Sequence, residues 1–426
     1  MGKAAQERDL TVKQATSTLL AFILFAVLLP FAPAARAVDR AGEIVSAELI
    51  GRYDAARLAS VLGEELKAFL GDSTIPFESF EGRFAKPRNG VSLYKITYRS
   101  AVPELGLWPT TATGLIAVPD TAEANPPLLS YQHGTVFGKD DVPSRPENSM
   151  ETRLAIAVFG GQGYTVIAAD YFGLGDSDLP NSYFAMRSNE QAMFDMYRAA
   201  ISFLKQQGRE PKALATVGWS QGGYNNMVLL RRLEQEGVAV NAAVSAAAPV
   251  DLQVFLLSGL TNHRPFDAVF RGAGISNMLF AIERYNGIQG LTERAIRPEY
   301  LEAARAFYEF RIDFPTFLSQ TKVDVREVLR PEFVEEMTLG KGSFNRVLND
   351  SDAYRWLSRT PFRVYYGGRD EAVPELLPWL AVEYQKYLGK TDAQAFSAGD
   401  MADHRATYIH ALLDGAPWID AAVKGK

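Results

Sequence analysis

Ser220 stands between two glycines, in Gly218-Trp219-Ser220-Gln221-Gly222. Before it, Lys212 to Val217 is a short run of small and apolar residues that reads as a buried strand. After it, Met227, Leu230 and Leu233 recur at helical spacing. A strand that turns this sharply into a helix strains its central residue. It also brings the residues two before and two after so close to neighbouring chain that only glycine fits. The turn lifts a hydroxyl above the sheet edge and points the backbone N–H of Gln221, with the positive end of the helix, at the same space. The chemistry this suits is nucleophilic attack on a carbonyl, with Gln221 as one oxyanion donor.

A serine hydroxyl is a weak nucleophile and needs a base, and the base needs a third group to hold its tautomer. The chain has four histidines. His133 follows an early strand on the oxyanion side, His263 falls in a long helical stretch, and His410 sits inside a C-terminal helix. His404 follows the last strand, where a loop residue can face the site, and is the expected base. The acid should come from another strand end. Asp370, in Gly367-Gly368-Arg369-Asp370, is the expected one, with Asp251 as its competitor; Asp400 and Asp403 would have to fold back on the neighbouring His404.

The elements that must hold these groups alternate. Val91 to Ser100 and Thr113 to Val118 have period two and are expected to be antiparallel strands. Strands are then predicted over Leu128 to Tyr131, Tyr164 to Asp170, the run before Ser220, Ala242 to Ala248, Phe362 to Tyr366 and Gln394 to Phe396. Helices are predicted over Met150 to Phe159, Arg187 to Gln206 and Glu375 to Leu388. That rhythm means an α/β fold whose mostly parallel sheet is flanked by helices. Between Asp251 and about Arg359 the alternation lapses, which predicts a helical cap inserted before the acid-bearing strand. The expected divisions are a signal peptide (1–37), an N-terminal extension (38–90) with a packing helix over Asp54 to Leu70, a core in two parts (91–252 and 360–426) and the cap (253–359).

Taken together, Gly218-Trp219-Ser220-Gln221-Gly222, Gly367-Gly368-Arg369-Asp370 and Asp403-His404 make the chain resemble the α/β-hydrolase superfamily of serine esterases and lipases, over roughly residues 88 to 420. In that family the serine, acid and histidine follow in this chain order. The resemblance implies that the residue after His133-Gly134, here Thr135, supplies the second oxyanion N–H. The run Ser130 to Thr135 is similar to that of secretory lipases, and the His-Gly-Gly-Gly run of the hormone-sensitive-lipase branch is missing. Asp170 to Ser177 is similar to a structural turn of this fold. Dehalogenases and epoxide hydrolases of the fold carry Asp where Ser220 stands, which argues against those chemistries.

Two other patterns are set aside. Gly160-Gly161-Gln162-Gly163 ends a helix and precedes a strand, the reverse of a dinucleotide loop. Asp170, Asp176 and Asp178 have no nearby His and a turn explanation, so neither a metal nor a cofactor is expected.

Composition bounds the rest. The 426 residues are 47% hydrophobic and 22% charged, enough for a large core. A net charge of -6, without basic clusters, argues against nucleic acid. With no cysteine, disulfides and thiolate chemistry are excluded. Lys3, Arg8 and Lys13 precede an uncharged stretch centred on Leu19 to Leu29, and Ala35-Arg36-Ala37 supplies a cleavage pattern. The protein is therefore expected to be secreted or periplasmic, the alternative being a membrane anchor through 14–35.

The expected function is hydrolysis of a small-molecule or lipid ester through an acyl-enzyme. Trp219, Phe137 and Phe255 would line the substrate pocket, and the cap would make transient contact with lipid surfaces. Acyl transfer or peptide cleavage by the same residues, and a non-catalytic secreted binding module, are the alternatives.

Overall fold

The computed structural model describes residues 40–425. The expected signal peptide and its alternative, an anchor through 14–35, lie outside the described residues. Among those described, no helix is long and apolar enough to cross a membrane.

Nine strands form one sheet: β1 (Ile44–Tyr53), β2 (Val91–Val102), β3 (Trp108–Pro119), β4 (Leu128–Gln132), β5 (Thr165–Ala169), β6 (Leu214–Trp219), β7 (Ala242–Ala246), β8 (Phe362–Tyr366) and β9 (Ala393–Ser397). Their spatial order is β1-β2-β3-β5-β4-β6-β7-β8-β9. The first three pair antiparallel, β3 is antiparallel to β5, and the rest run parallel. Every residue of β4, β5 and β7 is buried, as expected for strands covered on both faces.

The N-terminal packing helix is broken into α1 (Ala55–Ser60) and α2 (Leu66–Leu70) by a π-helical turn over Val61–Glu65. Its Asp54 cap accepts from Arg57 N. The sheet is covered on one face by α3 (Met150–Phe159). On the other lie α4 (Met186–Gln206) and α5 (Gln221–Gln235). The strand β1 was not expected: its side chains are mostly exposed and its pairing with β2 shifts register twice, so it lacks the alternation by which a strand is recognised.

Between β7 and β8 the chain makes eight helices: α6 (Leu252–Thr261), α7 (Arg271–Asn286), α8 (Leu291–Ala295), α9 (Pro298–Tyr308), α10 (Phe314–Gln320), α11 (Val325–Val328), α12 (Pro331–Thr338) and α13 (Gly342–Asp350). Their core is continuous with that of α5 and β8, through residues such as Leu256, Met278, Leu279 and Phe307. After β8 come α14 (Leu376–Tyr387) and, beyond β9, α15 (His404–Lys424), which packs on the same face as α3.

Candidate active site

The parallel strands end together. Gln132 pairs with Gly218, Trp219 with Ala246, and Ala246 with Tyr365. The residues that follow β4, β6 and β8 are therefore delivered to one edge, the C-terminal edge where open α/β sheets bind ligands. A larger hollow of about 740 Å³ lies at the opposite edge, beside Pro127, Tyr164, Lys212 and Ala213, just before the strands begin. Ser220, Asp370 and His404 do not line it.

Ser220 occupies φ 60°, ψ -124°, a conformation a non-glycine residue adopts only under constraint. The constraint is visible on both sides. Its N–H donates to Ala246 O at 2.9 Å, and its carbonyl accepts from Tyr224 N at 3.1 Å. A Cβ on Gly218 would overlap the carbonyl of Gly222, and one on Gly222 would overlap the carbonyl of Gln132. Both obstacles are backbone, so neither can swing aside. Gly222→Ala is therefore expected to cost roughly 1–3 kcal/mol of stability, the range of overpacked cores, or more. Thermal unfolding would show it as a lowered Tm, and an unchanged Tm would mean that the turn is looser than this contact implies.

Asp370 follows β8 and is buried, as is His404. The imidazole Nδ1 lies 3.0 and 2.9 Å from the two oxygens of Asp370. Asp370 Oδ1 also accepts from Ala372 N at 2.9 Å and Val373 N at 2.8 Å, which fixes the carboxylate before it meets the ring. His404 is the first residue of α15 rather than a loop residue. Asp403 caps that helix by accepting from Ala406 N at 2.8 Å, and it also holds Ser73 and Thr74. The cap fixes where the chain enters the helix, so the imidazole projects toward the strand ends. Two more contacts tether the backbone of His404. Its N–H donates to Glu371 Oε2 at 2.9 Å, and its carbonyl accepts from Trp219 Nε1 at 3.1 Å.

The other candidates have different work. Asp251 caps α6 through Val254 N and accepts from Tyr354 OH at 3.1 Å, turned toward the cap helices. His133 is buried, stacked on Tyr171 and set between the carbonyls of Gly134 and Asp170. Burial lowers its pKa to about 4, against those two bonds, so it is neutral. His263 faces Asp267 in the cap, and His410 packs near Tyr365. Asp170 is buried and accepts from Thr113 and from Ser144 N, while Asp176 pairs with Lys95 and Arg145.

Ser220, His404, Thr135 and Trp219 line one open cleft of about 380 Å³ together with Phe137, Phe270 and Glu371. Gln221 is the first residue of α5, and its N–H and that of Thr135 donate to no protein acceptor among the described residues. Trp219 is also a packing residue: it stacks on Tyr408 with ring centroids 4.8 Å apart and meets Phe69 edge-on at 5.7 Å. Phe137 lies against Phe314 of α10, and Phe255, half-buried, borders a second, smaller hollow that also reaches Ser220.

Several residues of the site carry no signal in the sequence. Glu151, at the start of α3, is buried, and both its oxygens accept from Gly134 N at 3.0 Å. Tyr131 OH donates to it at 2.9 Å. It thus anchors the turn that carries Thr135. Burial raises its pKa to about 7, against the pull of Gly134 N–H, Tyr131 OH and His404. Phe69, in a helix expected to have no part in chemistry, lines the cleft.

Electrostatics set a pH dependence. Burial disfavours the His404 imidazolium, but the Asp370 carboxylate, helped by Glu371 and Asp403, outweighs it and raises the imidazole above its ordinary 6.5. A base must be neutral, so kcat/KM is expected to be lost as pH falls through that raised value, with the acid limb above pH 6.5. His404's contribution to stability runs the other way: it is complete below 6.5 and lost as pH rises through the folded value. A pH profile checks the first, and a limb centred well below 6.5 would contradict it.

Comparison with known proteins is informative at the level of fold. No curated protein matches the chain in sequence. A hydrolase candidate of Legionella pneumophila is similar in structure, with TM-score 0.78 at 20% identity, covering 89% of this chain and 98% of that one. So is the rice cell wall degrading esterase LipA of Xanthomonas oryzae, with TM-score 0.74 at 18% identity over 89% and 96%. Candida antarctica lipase A in its closed state gives TM-score 0.65 at 15% identity over 90% and 83%. The family model described as the alpha/beta hydrolase family matches residues 133–420, which include Ser220, Asp370, His404 and the intervening helical insertion. With that match over more than half its length, on a mostly parallel sheet flanked by helices, the chain belongs to the alpha/beta hydrolase family.

Proposed function

We propose that the protein hydrolyses carboxylic esters through an acyl-enzyme on Ser220. The observation that carries this reading is the imidazole of His404, held at Nδ1 by both oxygens of Asp370 while it lines the same cleft as Ser220, whose backbone is strained. Held so, Nδ1 keeps the proton and Nε2 is left free to accept one.

Ser220 Oγ attacks the ester carbonyl carbon as its proton passes to His404 Nε2. The carbonyl oxygen takes the negative charge and is met by the N–H groups of Gln221 and Thr135. The intermediate collapses, the C–O bond to the alcohol breaks, and the imidazolium returns its proton to the leaving alkoxide. Water then repeats the attack on the acyl-serine, giving the free acid and the original hydroxyl. Asp370 stays ionised throughout and stabilises the imidazolium. Each oxyanion donor is worth about 2.7–4 kcal/mol in such sites. That LipA and lipase A are named as an esterase and a lipase agrees with this reading.

The substrate is a small-molecule ester or a lipid. Export to a secreted or periplasmic location rests on the pattern of residues 1–37. The test is turnover of activated esters beside the matching amides, with products analysed in the presence of competing alcohols. Free acid as the main product, from esters far faster than from amides, supports hydrolysis; preferred transfer to alcohol, or equal amide cleavage, would replace it.

A further inference from the structure

Two hollows meet at Ser220, and they differ in size, enclosure and chemistry. The open cleft of about 380 Å³ carries His404, Glu371, Arg405, Asp141 and Asn148. The second hollow, about 30 Å³, is narrower and less open, and is lined in part by the helical insertion. Phe255, Phe270, Arg271 and Ile275 line it from that side, with Phe184 and Val373 below. Only Thr135, Ser220 and Phe270 border both.

The proton relay decides which half of an ester lies where. The leaving alcohol must be within reach of the imidazole that protonates it, and His404 borders only the open cleft. The acyl group then points the other way, into the narrower hollow. On the same measure this hollow is less than a tenth of the open cleft, room for a short acyl group and too little for a fatty tail.

A longer chain would meet Arg271 as well. That guanidinium is buried and paired with Asp267, whose carboxylate Arg264 also engages at 2.8 Å, so one acid serves two bases. Pressing an alkyl tail against it would strip the remaining solvation from a charged group. The cleft, by contrast, mixes aromatic Phe69, Trp219 and Phe137 with polar Asn148, Ser149 and Arg405, and is open enough for a bulky hydrated alcohol.

Resting on the ester-hydrolase reading above, we infer that the enzyme is selective for esters of short acids with bulky polar alcohols: the acyl group enters the narrow hollow lined by Phe255 and Arg271, and the alcohol fills the open cleft.

The experiment compares kcat/KM for p-nitrophenyl acetate and p-nitrophenyl octanoate, which share a leaving group, both kept below their solubility limits. Acetate is expected to exceed octanoate by about 100-fold, since a few methylenes without a pocket forfeit that much. Phe255→Ala, and separately Arg271→Leu, are expected to raise the octanoate-to-acetate ratio at least 10-fold, as about 1.4 kcal/mol of discrimination is lost. On the alcohol side, a peracetylated sugar should be turned over faster than ethyl acetate. Octanoate equal to or better than acetate in the wild type, or ratios unmoved in both folded variants, would overturn the assignment while leaving the hydrolase reading intact. No turnover of any ester, with no fluorophosphonate label on Ser220, would overturn both.

Discussion

Ser220→Ala is expected to lower kcat for ester hydrolysis by about six orders of magnitude, the loss seen when a nucleophile that works as part of a unit is removed. Alanine keeps the Cβ and therefore the same strained φ of 60°, and the N–H bond to Ala246 O does not involve the side chain. The fold should be preserved, and the thermal unfolding midpoint should stay close to that of the wild type. What survives is the part of the site that binds the ester and its oxyanion, through Gln221, Thr135 and the cleft. KM should accordingly change little while kcat collapses. A variant that retained more than a few per cent of wild-type turnover would show that the nucleophile lies elsewhere.

Asp370→Asn is expected to reduce kcat by about 10⁴-fold with the structure intact. The reason lies in how the carboxylate is held. Its Oδ1 accepts from Ala372 N and Val373 N, and an asparagine carbonyl would keep those two bonds. The amide NH₂ would then face His404 Nδ1 and donate to it. Nδ1 would become the acceptor and Nε2 would carry the proton, so the ring could no longer take one from Ser220. The same change removes the main charge that raises the imidazole, so the acid limb of the residual activity should move to lower pH. Loss of activity with an unmoved limb would mean that Asp370 acts only as a structural anchor for the turn at Ala372 and Val373.

The turn around Ser220 was legible because its glycines are imposed locally. Gly218 and Gly222 face backbone atoms that admit no Cβ, and such positions leave a mark in the sequence wherever they occur. The buried strands were legible for a similar reason: β4, β5 and β7 are covered on both faces and so lack polar alternation. His404 was singled out by its place after the last strand and was expected in a loop. The cap supplied by Asp403 makes it the first residue of α15, and the helix entry aims the ring.

Long-range partners left no comparable mark. Asp251 and Asp370 both follow parallel strands and look alike in sequence. Only the approach of Tyr354 to the first and of His404 to the second separates them, and those partners lie 103 and 34 residues away. Glu151 reads as one more acid in the first turn of a helix, and its hold on Gly134 N becomes visible only when α3 is laid beside β4. Phe69 belongs to a helix whose apolar face looks sufficient as packing, and it reaches Trp219 because α2 ends beside α15. The edge strand β1, exposed and irregular in register, carries no pattern to read.

The short-acyl assignment narrows the expected substrate, a small-molecule or lipid ester, to esters of short acids. It does so through the volume between the insertion and the sheet edge, a quantity fixed by how eight helices pack and absent from any local run of residues.

The central claim is that Ser220, His404 and Asp370 act as one relay on an acyl group. It is tested most directly by reacting the wild-type protein with a fluorophosphonate and locating the adduct by peptide mass spectrometry, with Asp370→Asn and Ser220→Ala treated in parallel. Stoichiometric modification of the peptide bearing Ser220, slowed by orders of magnitude in Asp370→Asn and missing in Ser220→Ala, is the expected result. An adduct on a different residue, or labelling of Ser220 at the same rate with and without the Asp370 carboxylate, would contradict it.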